Sequence, residues 1–259
     1  MRSKFFFHVA QLPQLLPPDW SKGNSSEPTL AVVIDTLRFT STACVALQAG
    51  ADSICVAAEV EAARQLAEDL GSGTLLCGER HCHRIEGFHL GNSPFEYSAA
   101  VVAKHDLVFS TTNGTRAVAA AQGAQQVLLA SLLNRAAIVD WIYASPFKRA
   151  WIFCAGTDGQ IAAEDILTAG AILSGCQARS ASNVLANDSA TIALQLFDSL
   201  HDEFGTVPEK AVIELLTKAA GGQNLIQSGY SPDIAEVARL DSIDIVPRNS
   251  PEHPTRFRS

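Results

Sequence analysis

A chain of 259 residues, 47% hydrophobic and 18% charged, has the composition of a soluble globular protein with a sizeable core and is too apolar to be disordered. Its formal net charge of −8 argues against general nucleic-acid binding and against attraction to anionic membranes, so local groups of arginines become informative. No apolar run reaches the roughly 18 residues that span a bilayer, and six scattered cysteines read as reduced thiols of a cytoplasmic protein.

The start of the chain is charged and then apolar, but His8, Gln11 and Pro13 interrupt it and no cleavage pattern follows, so residues 5–9 are predicted as a first strand. Residues 17–29, rich in Pro, Gly, Ser and Asn, form a surface loop. The β-branched run 30–34 suits a parallel strand buried on both faces. It ends at Asp35, and Thr36-Leu37-Arg38 leads into a helix. Asp35 either caps that helix or lies where open α/β sheets put their ligands, outside the carboxyl end of a strand.

A strand at 53–57 and a helix at 60–70 follow, the helix with Glu61, Arg64, Glu68 and Asp69 on its wet face. Another strand begins at 75–77 and runs into Gly78-Glu79-Arg80, after which about twenty residues rich in turn formers show little periodicity. The strand 106–109 leads to Thr111, Thr112, Asn113, Gly114, Thr115 and Arg116 before an Ala-rich helix, a natural cradle for phosphate or sulfonate. Neither a P-loop nor a dinucleotide fingerprint is present, so the anion belongs to a small molecule.

After a strand at 127–129 and a helix at 135–143, the stretch 151–172 repeats the construction: an apolar run, Ala155-Gly156-Thr157-Asp158-Gly159, then a helix carrying Glu164 and Asp165. One reading is a Thr/Asp N-cap with a solvated acidic first turn. The other is an anion site where carboxylates hold a hard cation such as Mg2+. The alternation of strand and helix implies an α/β fold with a largely parallel or mixed sheet and helices on both sides. Helices are expected at 190–204 and 208–220, the second closed by Gly221-Gly222. Turns at 224–231, a short helix at 232–238, a last strand at 242–246 and a tail at 247–259, frayed or lying along the surface, complete a single domain.

His81-Cys82-His83, with Cys77 and His89 nearby, fits no tidy zinc spacing. No nucleophile elbow occurs, and Leu37 stands where a phosphoaspartate enzyme would need its second aspartate. What remains is carboxylates (Asp35, Glu79, Glu164, Asp165) and arginines (Arg38, Arg80, Arg116) in polar turns at strand ends, the inventory for metal-assisted hydrolysis of a phosphate ester. A non-catalytic module binding a small sulfonate or phosphate is the alternative.

The segments VVIDTLRFTST, CGERHCHRIEGFHLGNSPFEY, STTNGTRA, CAGTDGQIAAEDILTAGAI and LIQSGYSPDIAEVARLDSIDIVP together resemble the 2-phosphosulfolactate phosphatase family, in order and along nearly the whole chain. The resemblance implies a three-layer α/β/α fold and a Mg2+-dependent phosphatase that converts 2-phospho-3-sulfolactate to 3-sulfolactate. Its substrate carries phosphate, carboxylate and sulfonate, which accounts for several arginine turns. On this reading Asp35, Arg38, Glu164 and Asp165 are catalytic, and Asp35 holds Mg2+ with Glu164 or Asp165. Arg80, Asn113, Gly114, Thr115, Arg116, Gly156 and Thr157 bind the substrate. The attacking group is a side chain or water; Cys154, the nearest other nucleophile, reads as a buried strand residue.

The chain departs from the family pattern at His81-Cys82-His83 and at His89, which opens the substrate to another phosphorylated hydroxy acid. The expected partner is a small anionic phosphorylated substrate, with neither nucleic acid nor membrane, and a homodimer is the oligomeric guess.

Overall fold

The computed structural model describes residues 4–21 and 28–259; positions 22–27 of the expected surface loop lie outside the described residues. The first part of the chain forms β1 (Phe6–Ala10), β2 (Thr29–Ile34), α1 (Phe39–Gln48), β3 (Ser53–Val56), α2 (Val60–Leu70), β4 (Leu75–Arg80) and β5 (His83–Arg84). Next come α3 (Ala99–Val102), β6 (Asp106–Ser110), α4 (Gly114–Ala121), β7 (Gln126–Ala130), α5 (Arg135–Ala144), β8 (Arg149–Cys154) and α6 (Ala163–Arg179). The remainder supplies β9 (Val184–Leu185), α7 (Asp188–Asp198), α8 (Glu209–Lys218), α9 (Ala220–Gln227), α10 (Ser231–Val237), β10 (Arg248–Ser250) and β11 (His253–Arg258).

The strands join one 11-stranded mixed sheet in the order β5-β4-β6-β3-β11-β10-β7-β2-β8-β1-β9. Two parallel groups stand in it, β4-β6-β3 on one side and β7-β2-β8-β1-β9 on the other. The antiparallel hairpin β10–β11 lies between them. Because β3, β11, β10 and β7 pair antiparallel in turn, the two groups run in opposite senses. A flat sheet would then put their carboxyl ends on opposite edges. Strand twist of about 20–25° per step accumulates across the hairpin, and the turns after β2, β4 and β6 meet at one cavity.

Side-chain alternation builds the layers. Along β2, Ala31 and Val33 pack into a core with α1 and α4, while Leu30, Val32 and Ile34 pack on the other face with Ile138 of α5, Ile166 of α6 and Ala193 of α7. The second group repeats the pattern: Ile54, Leu107 and Phe109 enter the core shared with α1, and Cys55, Leu76 and Val108 lie under α2. The result is a three-layer α/β/α arrangement, each fully buried Leu, Ile, Val or Phe contributing about 1.5–3 kcal/mol. Phe39 of α1 meets Phe109 of β6 edge to face at 5.4 Å, which fastens the two groups together beside Asp35. Helices α8 to α10 pack around Leu167 of α6 and cover the end of the sheet where the turns meet.

Four sequence expectations are corrected. The 247–259 tail is neither frayed nor lying along the surface: it supplies β10 and β11 at mid-sheet, because Phe257 is fully buried and Asn249 holds the β7 main chain at Val127 through Oδ1. Its prolines and arginines hide that role. Residues 242–246 make no strand; Asp241 and Ile243 instead donate N–H bonds to the carbonyls of Leu132 and Leu133. Gly221-Gly222 does not close a helix but lies in the first turn of α9, which takes up much of the expected turn at 224–231. The helix expected to reach 204 ends at Asp198. Of the loop at 17–29, Trp20 is described, and its ring meets Phe153 edge-on at 4.8 Å.

Candidate active site

Residues 35–38 leave β2, between β7 and β8 in the parallel group, and are locked in place by side chains. Asp35 N–H donates to Thr40 Oγ1 at 3.0 Å, and that hydroxyl donates back to the Asp35 carbonyl at 2.9 Å. Ser41 Oγ donates to the Thr36 carbonyl at 2.8 Å. The first turn of α1 therefore fixes the turn it follows, and Asp35 faces a cavity of about 220 Å3.

Glu164 and Asp165 begin α6 but are not a solvated acidic first turn, for they are 1% and 2% exposed. Asp165 accepts from Thr36 N at 2.9 Å on Oδ1 and from Gly156 N at 2.9 Å on Oδ2, so one carboxylate ties the turns after β2 and β8 together. Glu164 is spent less completely. Its Oε1 accepts from Thr157 Oγ1 at 3.3 Å, and its Oε2 is buried with no partner. Thr157 and Gly221, which touch Glu164, line the cavity, so Glu164 stands one side chain behind the wall. A Cβ at Gly221 would fall 2.1 Å from Glu164 Oε1, which is why α9 can approach only with glycine there.

From the other strand group comes Glu79. Its Oε1 accepts from Thr112 N and its Oε2 from Cys82 N, each at 2.9 Å, so it holds two loops at the cavity wall as Asp165 does on the far side. Gly114, at the start of α4, gives Asp35 its space, since a Cβ there would lie 2.6 Å from Asp35 Oδ2.

Crowding of these acids sets the electrostatics. Burial, then the Glu79 charge, pushes the Asp35 carboxyl up to about 7, with Glu164 adding to the rise. Burial raises Glu164, and burial followed by the Glu164 and Asp35 charges raises Asp165. The Cys154 thiol is pushed far up by burial and by these same two neighbours on α6, which keeps it protonated and inert.

Against this stands one arginine. Arg38 lines the cavity, 3% exposed, its Nη1 donating to Asp233 Oδ2 at 2.9 Å and its Nη2 to the Cys82 carbonyl at 3.0 Å. The guanidinium stacks on the Tyr230 ring at 4.3 Å, and Ser93 Oγ donates to the second Asp233 oxygen at 2.7 Å. Arg80 does not line the cavity; it donates to Ser110 Oγ at 2.9 Å and to the Ala58 carbonyl at 3.2 Å. Arg116 is exposed on α4 and also lies outside the lining, and Thr115 turns its hydroxyl back to the Thr111 carbonyl at 2.7 Å.

Asn113 and Thr157 do line the cavity, whereas Gly114 stands behind Asp35 and Gly156 gives its N–H to Asp165. Sequence reasoning passed over Asn92, Asn224, Gln227 and Ser228, which complete the wall. Thr112 Oγ1 and Asn92 Oδ1 are buried there without partners. The signal for Asn92 was its Gly-Asn-Ser-Pro turn, and for the α9 residues their place among turn formers near the end of the chain. His81 and Cys82 also line the wall, in left-handed backbone at φ 53° and 66°.

The family model for 2-phosphosulpholactate phosphatase matches residues 15–251, most of the chain and every carboxylate of the cavity. The chain belongs to the 2-phosphosulpholactate phosphatase family. It is 35% identical over 248 residues to a probable 2-phosphosulfolactate phosphatase of Synechococcus sp. (strain JA-2-3B'a(2-13)), covering 94% of this chain and 95% of that protein. A protein of the same name from Symbiobacterium thermophilum is 40% identical over 219 residues, covering 84% and 90%. One from Prochlorococcus marinus (strain MIT 9313) is 38% identical over 247 residues, covering 93% and 94%. The C-terminal hairpin strand β11 lies beyond the matched segment.

Proposed function

We propose that the chain is a Mg2+-dependent phosphatase that hydrolyses the phosphate ester of 2-phospho-3-sulfolactate to 3-sulfolactate and phosphate. The observation that carries the reading is a pair of buried carboxylates, Asp35 after β2 and Glu164 at the start of α6, that their neighbours engage only in part. Asp35 faces the cavity, and Glu164 sits behind it with a buried oxygen that nothing satisfies. Two crowded acids of raised pKa are costly to ionise alone, and a hard cation between them offsets that cost. Among the described residues no group of three or more side chains forms a complete metal cage. Mg2+ does not need one, since it is commonly held by one or two carboxylates together with substrate phosphate and water. Asp35 and Glu164 are the residues that would hold it. Asp165, with both oxygens engaged by main-chain N–H groups, acts instead by fixing the turns that carry them.

When bound, the cation supplies charge neutralisation at the phosphoryl oxygens and favours ionised Asp35. Arg38 presents a fixed positive charge whose direction Asp233 and Tyr230 determine. Thr112 Oγ1, without a partner at the cavity wall, can donate to a substrate oxygen, and Asn92 leaves its amide Oδ1 as an unused acceptor. Helix α9 closes one side of the cavity and limits water around the ester. A substrate whose charges are met by Arg38 and a cation, with Arg80 and Arg116 outside the wall, also suits a different phosphorylated hydroxy acid, the second reading. A non-catalytic anion trap is disfavoured, because the wall carries Asp35, Glu79 and Asp158 against one arginine.

We place the protein in the cytoplasm on the strength of its six free cysteines, and no helix among the described residues is long and apolar enough to cross a membrane. With a charge of −8 it has no nucleic-acid partner in this reading, and a homodimer is the state to test by sedimentation. The deciding assay is phosphate release from 2-phospho-3-sulfolactate and a panel of phosphorylated hydroxy acids, with and without Mg2+. Release that depends on the cation supports the reading, and no release from any of them overturns it.

A further inference from the structure

The face of the β10–β11 hairpin opposite the shared core differs from the rest of the sheet. Strand alternation sends Phe257 into that core, and the register partners Arg248 and Arg258, with Arg256, line the far side. On the strands either side, the same face is apolar and covered: Cys55 and Val108 by α2, Leu128 and Ala130 by α5. No comparable helix packing reaches β10 or β11, so the outer helix layer leaves a gap floored by arginines. The gap is a cavity of about 260 Å3, with His253 and Ser250 on its wall.

Charge balance there is incomplete. Arg256 is satisfied, donating from Nε to Ser53 Oγ at 2.8 Å and from Nη2 to Asp106 Oδ1 at 2.6 Å. Arg248 and Arg258 stand opposite each other on neighbouring strands, and neither guanidinium meets a carboxylate among the described residues. Like charges directly opposite in a ladder destabilise it, and a guanidinium pair in a concave site matches the oxygens of a tetrahedral dianion through forked N–H donors. A chain of net charge −8 that concentrates three arginines in one trough makes a local exception to its own field.

We propose that this trough is a binding site for a doubly charged tetrahedral oxyanion, either free phosphate or the phosphate group of a small ester, separate from the acidic cavity. The volume holds one such group and a small body, and the site lies on the hairpin that links the two strand groups. Its occupant therefore braces the middle of the sheet. The inference does not depend on the catalytic reading, since the trough and the acidic cavity share no lining residue.

The test is calorimetric titration and thermal unfolding of the full chain, metal-free and at low ionic strength, with inorganic phosphate, glycerol phosphate and sodium chloride at matched ionic strength. The wild-type protein is expected to bind one phosphate and to gain more Tm with phosphate than with chloride. In R248Q/R258Q binding weakens on the order of tenfold or more, as loss of charge-assisted bonds implies, and the phosphate-induced gain disappears. Without anion that variant melts no lower than wild type, because the repulsion is gone. Tighter binding of glycerol phosphate than of phosphate makes the ligand an ester; the reverse makes it the free ion. Should the double variant fail to fold by circular dichroism, the exposed R258Q alone carries the comparison. Equal binding by variant and wild type, or a wild-type response no larger than with chloride, overturns the site.

Discussion

The carboxyl ends of β2 and β4 each bring an acid and an arginine together, yet they distribute the two differently. Just after β2, Asp35 and Arg38 both line the cavity; at the last two positions of β4, Glu79 does and Arg80 does not. Glu79 and Arg80 are successive residues of one strand, and successive side chains point to opposite faces. Arg38 follows Asp35 by three residues, outside any strand, in a turn that bends the chain back on itself. The acids differ as well. Glu79 is engaged by main-chain N–H groups of two separate loops, whereas Asp35 takes a main-chain bond from Phe39, at the start of the helix it leads into, and faces the cavity. Two equally buried acids thus differ in what they hold: Glu79 ties two loops together, and Asp35 stays within its own turn with its carboxyl toward the cavity.

Replacing the two acids in turn tests that contrast most severely. Asp35→Asn is expected to lower cation-dependent phosphate release on the order of 10^3-fold with the fold intact, the scale for removing one electrostatic element of a transition state. Glu79→Gln puts a donor amide against an N–H, and its main effect is a stability loss of about 1–3 kcal/mol read by urea unfolding. Equal activity losses with unchanged stability would erase the distinction. The arginines give the next largest effect. Arg38→Ala strands Asp233 in the interior, so unfolding should become easier by about 3–5 kcal/mol. Arg80→Gln loses hydrogen bonds to Ala58, Ser110 and the Glu79 carbonyl, about 1–2 kcal/mol, and should change kcat/KM by less than about tenfold.

Smaller again is a pH effect. The Asp35 pKa rises from 3.8 to about 7 on folding, so between those values the folded protein binds more protons than the unfolded chain. Stability of the metal-free protein therefore falls as pH rises through that window and levels off above it. Between about pH 5.5 and pH 7.5 the fall attributable to Asp35 is about 2 kcal/mol, to be checked by chemical denaturation in EDTA. Asp35→Asn should make the profile shallower, Glu164 and Asp165 supplying what remains of the fall, and a rise in wild-type stability over the same range would refute the assignment. The smallest expected change is His81→Gly. A left-handed residue relieved by glycine should gain up to about 1 kcal/mol, where glycine elsewhere costs about that much.

Much of the fold was legible because burial on both faces leaves continuous apolar runs, and β2, β6 and β8 coincide with those runs. The hairpin β10–β11 was not legible. Arginine, proline and histidine dominate it, and only Phe257 signals a core. In the site, residue types were readable and their partners were not. Glu164 and Asp165 are neighbours on one helix, about 100° apart in direction, and only long-range contacts to Thr36, Gly156 and Thr157 show that one is spent and the other is not. Arg80 and Arg116 carried the right chemistry in the wrong orientation, because no periodicity reports which way a turn faces.

The hairpin also sets a schedule for building the molecule. Its ladder with β3 joins Arg256 to Cys55, and its ladder with β7 joins Arg248 to Leu128, so each bond waits for residues made long after their partners. During synthesis the two strand groups can each gather their own helices, but no ladder connects them until residues 248–258 have left the ribosome. The cavity draws Asp35 from one group and Glu79 from the other, and until then only side-chain packing such as Phe39 on Phe109 holds the two together.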